Sequence, residues 1–520
     1  MPSKVNTGNP SQDNNNEDSK SKTIKVHIAI FFDGTGNSMM NVKERKAYDA
    51  QSKKVAHRDE YYKKNDSHLN DLSNVAKLYT MYQTKMDKGD YDISIYIEGI
   101  GTAPRPVAEI TYNSQYFASQ GIYDDSTLGQ ALGCGDYGVN GKIERGCEKI
   151  KNCLLEILKD ESEPNTTIDI DLTFDAYGFS RGAAAARSFT SRIKKAKGDT
   201  FKLGKALKEE LDQLYKSVLA PTPFKLSSID KYLTPILSKE NRYKICLMDV
   251  LNDEQIKLSK DIEVSFLGLY DTVSSYGESF NDDVKELALT IDSSIVKQVY
   301  QICAADEYRK NFSLTLVEPF ENNVIIPGAH SDIGGGYSDD KKEEYILYKN
   351  YYSTLKAMAA VTNPALITAH LESNVYAGNK DRDELKDEGW FTDEDIKKGY
   401  REVSNSYSCI ALNMMREKSG SSKFQMKDEY NVNDNDLNSF YNQLKAKELY
   451  AFEGKKGKRK IKRTVPKISD LEKRIRNKFL HLSSQGESLR MIILSPDSIS
   501  KPRFVNAAQP GNKRKIIENS

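Results

Sequence analysis

The stretch of sequence that decides the fold is Thr167–Arg187, which reads TIDIDLTFDAYGFSRGAAAAR. Apolar and polar residues alternate over Ile168–Phe174, and this period of two predicts a strand with one face in the core. A turn with two glycines follows at Gly178–Gly182, and the run of alanines after it predicts a helix. A strand, a tight turn and a helix in this order are typical of an open α/β sheet, in which sites form beyond the carboxyl ends of the strands.

The rest of the first two thirds of the chain continues this alternation of strands and helices. The predicted strands are Ile24–Phe32, Asp92–Ile97, Thr167–Phe174, Ile262–Tyr270 and Asn323–Ile326. The predicted helices are Asp71–Met86, Lys142–Leu158 and Arg181–Lys195. Alternating strands and helices favour a mostly parallel sheet with crossover helices, so we predict an α/β fold.

The chain length and the changes in composition suggest a domain organisation. A chain of 520 residues is long enough for about two to four domains at roughly 100–200 residues each. The polar segment 1–23 predicts a disordered N-terminal tail. Residues 24–340 form the predicted catalytic domain, interrupted at 197–260 by an insertion that is a candidate lid. Residues 341–520 are predicted to be mainly helical, as a candidate module for membrane docking or partner binding.

The overall charge limits the classes of partner. Lys and Arg number 76 and Asp and Glu number 75, so the formal net charge is +1. This balance excludes a polycation or polyanion, and any attraction to a membrane must come from a local patch. The segment Lys455–Arg463 is such a patch, with seven cations in nine residues. It has the pattern of a solvated surface, although peripheral contact with anionic lipid would also suit it. Because no aromatic residues are interleaved for stacking, no nucleic-acid partner is predicted.

The sequence lacks the signals of export and of metal binding. No apolar run reaches the ~18 residues of a membrane span, and the N-terminus has no hydrophobic region of a signal peptide. The six cysteines lie singly without a C-x-x-C motif, so neither a disulfide scaffold nor a zinc site is expected. We therefore expect synthesis in a cytoplasm, with any export by a route that needs no signal peptide.

Gly178–Gly182 also matches G-x-S-x-G, the nucleophile elbow of α/β-hydrolases, with the expected strand before it and helix after it. In such an elbow the serine sits on a strained turn that exposes its hydroxyl. The neighbours two positions before and after must be small, so that strand and helix can approach each other, and Gly178 and Gly182 meet this requirement. Ser180 is therefore the candidate nucleophile.

A nucleophilic serine needs a base, and three histidines follow Ser180 in the chain. His330 lies in a glycine-rich loop just after a predicted strand, which is where the base of a triad belongs. His481 follows an amphipathic helix and is the rival base. His370 lies in a helix-like segment, where a core or surface histidine is expected.

The acid that orients the base should lie between the serine and the histidine in the chain. Asp271 directly follows the strand Ile262–Tyr270 and satisfies this order, so it is the candidate acid. Asp332 is a competitor, but its place two residues after His330 favours a role in steadying that loop.

The developing oxyanion needs backbone N–H donors. The amide of Arg181 follows the nucleophile, and the loop with Gly34 and Thr35 is the candidate second donor because glycine lets amides turn inward. A second glycine motif, Gly133–Gly138, fits G-x-G-x-x-G, but no strand precedes it as a dinucleotide site requires. No organic cofactor is predicted.

Four ordered blocks of sequence carry a family resemblance. They are Phe31–Asn37 (FFDGTGN), Gly178–Ala183 (GFSRGA), Leu269–Val273 (LYDTV) and Gly328–Tyr337 (GAHSDIGGGY). Together they resemble the α/β-hydrolase domain of the type VI secretion phospholipase effectors, the first lipase-effector family. Phe479–Ser483 is similar to a motif near the C-terminus of such proteins, more weakly.

The resemblance implies a triad of Ser180, Asp271 and His330 and phospholipase A activity on bacterial membrane lipids. It also implies delivery into the periplasm of a rival cell by a contractile secretion machine. A carrier protein of the spike or tube and an immunity protein in the producer would then be partners. Two alternatives stay open from the sequence. One is a general carboxylesterase or lipase of the producing cell, and the other is a non-enzymatic secretion-associated protein on a hydrolase scaffold.

Overall fold

The structure is a computed structural model. It describes residues 20–50, 61–62, 65–103, 125, 136–193, 247, 251, 256–276, 281–282, 287–309, 311–339, 341–344, 382–398, 400–483 and 514–518. Residues 1–19, nearly all of the insertion at 197–260, and His370 lie outside the described residues. The candidate lid and the predicted domain boundaries therefore stay predictions, as does the disordered tail over residues 1–19. Residues 20–23, which were predicted to belong to that tail, lie in a strand instead, because they pair with a neighbouring strand.

Seven strands form the central sheet in the order β10-β8-β5-β4-β1-β3-β2, with neighbouring strands parallel except at the β2–β3 edge. The strands of this sheet are β1 (Lys20–Phe32), β2 (Lys85–Asp87), β3 (Asp90–Ile97), β4 (Thr166–Phe179), β5 (Glu263–Tyr270), β8 (Val299–Ala304) and β10 (Asn323–Ile326). The shorter strands are β6 (Ser275–Tyr276), β7 (Asn281–Asp282), β9 (Leu314–Thr315), β11 (Lys341–Glu344), β12 (Tyr400–Val403), β13 (Tyr450–Glu453), β14 (Lys460–Arg463) and β15 (Ile516–Ile517).

Helices connect and cover these strands. The α-helices among the described residues are α1 (Met39–Asp49), α2 (Asp66–Leu69), α3 (Asn74–Met81), α4 (Val139–Glu161), α5 (Arg181–Arg192), α6 (His330–Gly334), α7 (Arg382–Asp387), α8 (Asp393–Lys398), α9 (Ser408–Ser419), α10 (Asn435–Ala446) and α11 (Asp470–Phe479). Short 3₁₀ helices lie at Phe320–Asn322, Asn405–Tyr407, Ser421–Lys423 and Asp428–Tyr430. The mostly parallel sheet with crossover helices confirms the predicted α/β fold class.

The two central strands are longer than the sequence pattern predicts. β1 starts at Lys20 and pairs with β4 along its whole length, from Lys20 opposite Thr166 to Phe32 opposite Gly178. β4 continues past the alternating segment because its last residues pair with β1 on one side and with β5 on the other. Pairing on both sides holds the backbone extended up to Phe179, so the elbow starts directly at the edge of the sheet.

Both faces of the sheet are buried, as expected for parallel strands with crossover helices. On one face, alternate residues of β1 and β4 pack against α4 and the alanines of α5, including Ile28, Ile30, Phe174, Cys147 and Ala184. On the other face, the core contains Phe31, Tyr177 and Phe266 together with Ile410 and Met415 of α9. The described part of 341–520 therefore packs against the same sheet as the site.

The described part of 341–520 contains helices α7–α11, in agreement with the predicted helical character, and it also contains strands. β11 and β12 form an antiparallel pair, and β13 and β14 form an antiparallel hairpin. β15, close to the end of the described residues, pairs in parallel with β9, which lies after β8. This last pairing brings the C-terminal segment 514–518 to the carboxyl edge of the sheet.

Candidate active site

Ser180 occupies a strained turn between β4 and α5. Its backbone has φ 58° and ψ −127°, a left-handed conformation that a residue with a Cβ rarely adopts. A Cβ on Gly178 would lie 2.5 Å from the Cα of Ala183, and one on Gly182 would lie 2.1 Å from the carbonyl oxygen of Asp33. Both distances are too short for any side chain, so the glycines let the strand, the helix and the neighbouring loop close around the serine.

Asp271 directly follows β5 and hydrogen-bonds to His330. Oδ2 of Asp271 and Nδ1 of His330 are 2.5 Å apart, and both side chains are almost fully buried. The backbone of Asp271 also has a positive φ, 46°, and its N–H donates to the carbonyl of Ile302 on β8 at 2.8 Å. With Nδ1 facing the carboxylate, the imidazole presents Nε2 on the opposite side of the ring, as a catalytic base requires.

Backbone and ring contacts bring Ser180 next to this pair. The N–H of Ser180 donates to the carbonyl of Tyr270 at 3.0 Å, and the N–H of Val273 donates to the carbonyl of Ser180 at 3.3 Å. The ring of Phe179, the residue before the serine, lies 4.6 Å from the His330 ring between centroids. The structure therefore brings together the elbow, the candidate acid and the candidate base at the carboxyl edge of the sheet.

The surroundings set the charge states of this pair. Burial alone would raise the pKa of Asp271, but Arg514 and His330 together hold it well below its usual range. Burial lowers the pKa of His330 below its usual 6.5, against the opposing effect of Asp271. The Asp271 carboxyl group is thus ionised, and the His330 imidazole is neutral at neutral pH, as a general base should be.

A second layer of contacts positions His330. Its backbone N–H donates to Oε2 of Glu307 at 3.3 Å. Glu307 in turn holds Arg309 through two hydrogen bonds of 3.0 and 2.9 Å, and Arg309 stacks over the ring of Phe312 at 3.4 Å. The Phe312 ring meets the His330 ring edge-on at 5.0 Å. No sequence pattern indicates Glu307 and Arg309, which lie a few residues after β8, a strand that was not predicted either.

Arg514 is the functional candidate that lies furthest from the rest of the site in sequence. Its guanidinium donates to both oxygens of Asp271, from Nη1 to Oδ1 at 2.6 Å and from Nη2 to Oδ2 at 2.7 Å. No local motif surrounds Arg514 in the sequence. Only the pairing of β15 with β9 brings it to the site.

The loop after β1 was predicted to supply oxyanion donors from Gly34 and Thr35. The N–H of Gly34 donates instead to Oδ1 of Asp33 at 2.7 Å, so this amide is engaged within its own loop. Thr35 is tied to the elbow, because its Oγ1 accepts a hydrogen bond from Nε of Arg181 at 2.9 Å. Burial raises the pKa of Asp33 to about 6, despite hydrogen bonds from Ser73 and Tyr96. The oxyanion roles of Thr35 and of the Arg181 amide stay predictions.

The rival base, His481, forms a second buried pair with Asp332. Its Nδ1 lies 2.7 Å from Oδ1 of Asp332, and its backbone N–H donates to Oδ2 at 3.0 Å. The same Oδ2 accepts the N–H of Ala329 at 2.9 Å, and the His481 ring stacks on Tyr337 at 3.9 Å. Asp332 thus contacts both Ala329, which precedes His330, and His481, which follows α11. These contacts tie the loop that carries His330 to the segment after α11.

Other predicted features lie apart from this site. Residues 133–135 of the G-x-G-x-x-G match lie outside the described residues. The basic run 455–463 forms the tip and second strand of the β13–β14 hairpin, where Lys462 and Arg463 pair with Glu453 and Glu472. Within the described ranges, no group of three or more His, Cys, Asp or Glu side chains could hold a metal ion. No helix of the described residues is both long and apolar enough to cross a membrane.

The parallel sheet, with an elbow after β4 and an Asp–His pair at the neighbouring strand ends, is that of an α/β-hydrolase-like protein. Residues 175–362 match the family model of the catalytic domain of Tle1-like phospholipase effectors of the type VI secretion system. This match confirms the resemblance, and it includes three of the four sequence blocks, with Ser180, Asp271 and His330; the block Phe31–Asn37 lies outside it. No curated protein sequence matches the chain.

Two solved structures share distant likenesses with the chain. The Tle1 effector bound to the VgrG spike from the type 6 secretion system is 19% identical, over 99% of this chain and 99% of that chain, with a TM-score of 0.49. An uncharacterized protein from Pseudomonas aeruginosa is 15% identical, over 80% of this chain and 48% of that chain, with a TM-score of 0.32. At these scores neither likeness bears on the function of this chain.

Proposed function

We propose that this protein is a serine lipolytic hydrolase of the phospholipase A type, acting as an antibacterial effector on bacterial membrane phospholipids. The observation that carries the proposal is the hydrogen bond between Asp271 and His330 beside a strained elbow serine. The match of residues 175–362 to a phospholipase effector catalytic domain supports the choice of a lipid ester as substrate.

In the proposed acylation step, Oγ of Ser180 attacks the carbonyl carbon of an acyl ester while Nε2 of His330 takes the hydroxyl proton. The Nδ1–H of the resulting imidazolium donates to Asp271, which keeps the ring oriented and stabilises its charge. The amides of Arg181 and Thr35 hold the oxyanion of the tetrahedral intermediate. When the intermediate collapses, the lysophospholipid alkoxide leaves with the proton from His330, and the acyl group remains on Ser180.

In the proposed deacylation step, His330 takes a proton from a water molecule, and the resulting hydroxide attacks the acyl-serine carbonyl. Collapse of the second tetrahedral intermediate releases the fatty acid and returns the proton to Oγ of Ser180. The products are one fatty acid and one lysophospholipid for each water consumed. The chemistry needs no group beyond those of the chain and water.

The proposal also covers how the protein reaches its substrate. The family model that matches is one of type VI secretion effectors, and this supports delivery by that machine into the periplasm of a target cell. A spike or tube protein as carrier and an immunity protein in the producer follow from the same proposal. A competition assay tests it, because a producer carrying Ser180→Ala should secrete the protein without killing target cells.

Lipid-product analysis of the purified protein tests the chemistry. Vesicles of phosphatidylethanolamine and phosphatidylglycerol should yield fatty acid and lysophospholipid with the wild type and with Ser191→Ala, a matched control on the same helix. Ser180→Ala should yield neither. The acyl chain that the lysophospholipid retains then distinguishes cleavage at sn-1 from cleavage at sn-2.

Other results of the same experiment would contradict the proposal. Turnover of short-chain esters without action on vesicles would favour a general carboxylesterase. An unchanged biological effect with Ser180→Ala would favour a non-enzymatic role on a hydrolase scaffold.

A further inference from the structure

A guanidinium from the C-terminal segment is bound to the candidate acid of the site. Arg514 lies 243 residues after Asp271, yet its two terminal nitrogens contact the two carboxylate oxygens at 2.6 and 2.7 Å. The Arg514 side chain is 2% exposed, and that of Asp271 is fully buried. This is the paired, planar geometry in which arginine binds a carboxylate most strongly.

Two further hydrogen bonds of Arg514 to backbone carbonyls fix the orientation of its guanidinium. Nε donates to the carbonyl of Phe312 at 2.8 Å, and Nη1 also donates to the carbonyl of Ala304 at 3.2 Å. The backbone on its C-terminal side is fixed by β15, where Leu314 N–H donates to the Lys515 carbonyl at 2.9 Å. Arg514 is thus held between Ala304, at the end of β8, and Phe312, which precedes β9.

The contacts of Asp271 leave its carboxylate no freedom to rotate. Oδ1 accepts from Arg514 and from the N–H of Ala304 at 2.8 Å, and Oδ2 accepts from Arg514 and faces Nδ1 of His330. Without Arg514, one backbone amide and the imidazole would be the remaining partners of the carboxylate among these contacts. The guanidinium therefore determines the plane in which Oδ2 meets the imidazole.

Arg514 also changes the charge that His330 senses. A lone buried carboxylate would strongly favour the imidazolium form of its partner. Here the guanidinium lies within hydrogen-bond distance of both oxygens of that carboxylate and offsets its charge. The other ionisable groups that face His330 are Glu307 and Arg309, which are paired with each other, and the thiol of Cys303 lies near Asp271 and Arg514. Arg514 is thus the cation that offsets the charge of the acid.

We propose that Arg514 is a positioning residue of this site, whose guanidinium fixes both oxygens of Asp271 and offsets their charge beside His330. The inference rests on the proposed roles of Ser180, Asp271 and His330. It makes the C-terminal segment 514–518 part of the hydrolytic site rather than a structural appendage.

The test uses the full chain with Arg514→Lys and Arg514→Gln. Arg514→Lys keeps the charge but loses the planar fork, whereas Arg514→Gln loses both. Arg401→Lys is the matched control, because the Arg401 side chain is also almost fully buried and binds Glu343 through Nε and Nη2 at 3.0 and 2.7 Å. The measurements are kcat, KM and the pH profile of kcat/KM on a soluble short-chain ester, with a fluorophosphonate probe to count reactive serines.

The two variants should change different quantities. Arg514→Lys should lower kcat per reactive serine by roughly tenfold or more at unchanged KM, as loss of an orienting partner does, without moving the acid limb of the pH profile. Arg514→Gln should lower kcat and also move the acid limb to higher pH by about one unit, because a positive charge near the imidazole is removed. Arg401→Lys should lower thermal stability only.

The inference is overturned if both Arg514 variants keep kcat per reactive serine within about twofold of the wild type. It is overturned equally if their activity falls only in proportion to the folded fraction, as for Arg401→Lys. Should Arg514→Gln fail to fold, kcat of Arg514→Lys decides. A wild type that neither reacts with the probe nor cleaves esters refutes the proposed function itself, which is a different result from unaffected Arg514 variants in an active protein.

Discussion

Backbone strain at single residues marks the site. Among the described residues, the non-glycine residues with positive φ are Asn165, Ser180, Asp271 and Ala288. Two of them are the candidate nucleophile and the candidate acid. Each such conformation costs on the order of 1–3 kcal/mol and persists only where the surroundings enforce it. The sheet pairing before these residues and the hydrogen bonds after them supply that enforcement.

This strain predicts that an inactive variant with glycine at position 180 is more stable than an inactive variant with alanine there. Ser180→Ala and Ser180→Gly should both be inactive, but the glycine variant should have the higher free energy of unfolding, by about 1 kcal/mol, because φ 58° costs glycine little. Urea denaturation of the two variants measures the difference. An alanine variant as stable as the glycine variant would show that the turn is not strained.

The environment of His330 predicts the pH range of activity. Burial lowers the pKa of His330 below 6.5, and only the neutral imidazole can take the proton of Ser180. The midpoint of the acid limb of activity should therefore lie below pH 6.5. The pH profile of kcat/KM on a soluble ester measures this limb. An apparent pKa above 6.5 would contradict the assigned environment.

The two histidine pairs should differ in what they support. His330→Ala should lose at least ~10³-fold in turnover at nearly unchanged KM, as for a member of a triad. His481→Ala should keep most turnover per folded molecule but lose about 1–3 kcal/mol of stability, because Asp332 stays buried without its imidazole partner. Kinetics and thermal unfolding of both variants separate the roles. The reverse pattern would make His481 the base.

Local sequence patterns could reveal some residues of the site but not others. Ser180 and His330 lie in glycine-rich turns at strand ends, and Asp271 ends an apolar strand, so each carries a signal in its own neighbourhood. Arg514 has no such signal, because its position depends on a two-residue strand pairing with β9. The hydrogen bond from the Gly34 amide to Asp33 could not be predicted either, because it depends on the orientation of the Asp33 side chain.

At the scale of elements, the elbow depends on how closely α5 approaches the loop after β1. Gly182→Ala should destabilise the fold by at least about 1–3 kcal/mol, because its Cβ would lie 2.1 Å from a backbone oxygen that cannot easily move. Gly146→Ala on α4 is the control, since its Cβ would meet a flexible Ile30 methyl at 3.1 Å and the Phe32 ring at an ordinary contact distance of 3.4 Å, and the alanine would gain helix propensity. Thermal unfolding measures both, and equal stability of the two variants would contradict this packing argument.

The elements that the sequence predicts are those with long regular patterns. β4, β5 and α4 have such patterns and are present, each with shifted ends. β8 was missed because it contains Gln301, a polar residue that is nonetheless buried and that interrupts the apolar pattern. The side-chain amide nitrogen of Gln301 donates to the Thr315 carbonyl and to Asn323 at 3.0 and 2.8 Å. The cost of burying this amide is therefore offset by hydrogen bonds that exist only in the folded chain.

At the scale of the whole molecule, a balanced net charge leaves attraction to anionic lipid to local patches. The tip of the β13–β14 hairpin carries exposed Lys455 and Lys456. Replacing both by Gln should weaken binding to phosphatidylglycerol vesicles roughly 30-fold, at about 1 kcal/mol for each cation near the surface, without changing turnover of a soluble ester. Vesicle sedimentation measures the binding.

Lys397→Gln with Lys398→Gln is the matched control, because it removes two exposed lysines from α8 instead. If both double variants bind vesicles equally weakly, only the total charge matters. If neither binds more weakly than the wild type, the hairpin is not a membrane contact.

The position of Arg514 has a consequence for the order in which the protein matures during synthesis. Asp271 and Arg514 are separated by 243 residues, which a ribosome adds in roughly 12–50 s at about 5–20 residues per second. Throughout that interval the nascent chain already contains the serine, the acid and then the histidine, but not the cation that holds the acid in place. With the roles proposed for these residues, the site is therefore complete only after the ribosome has added Arg514.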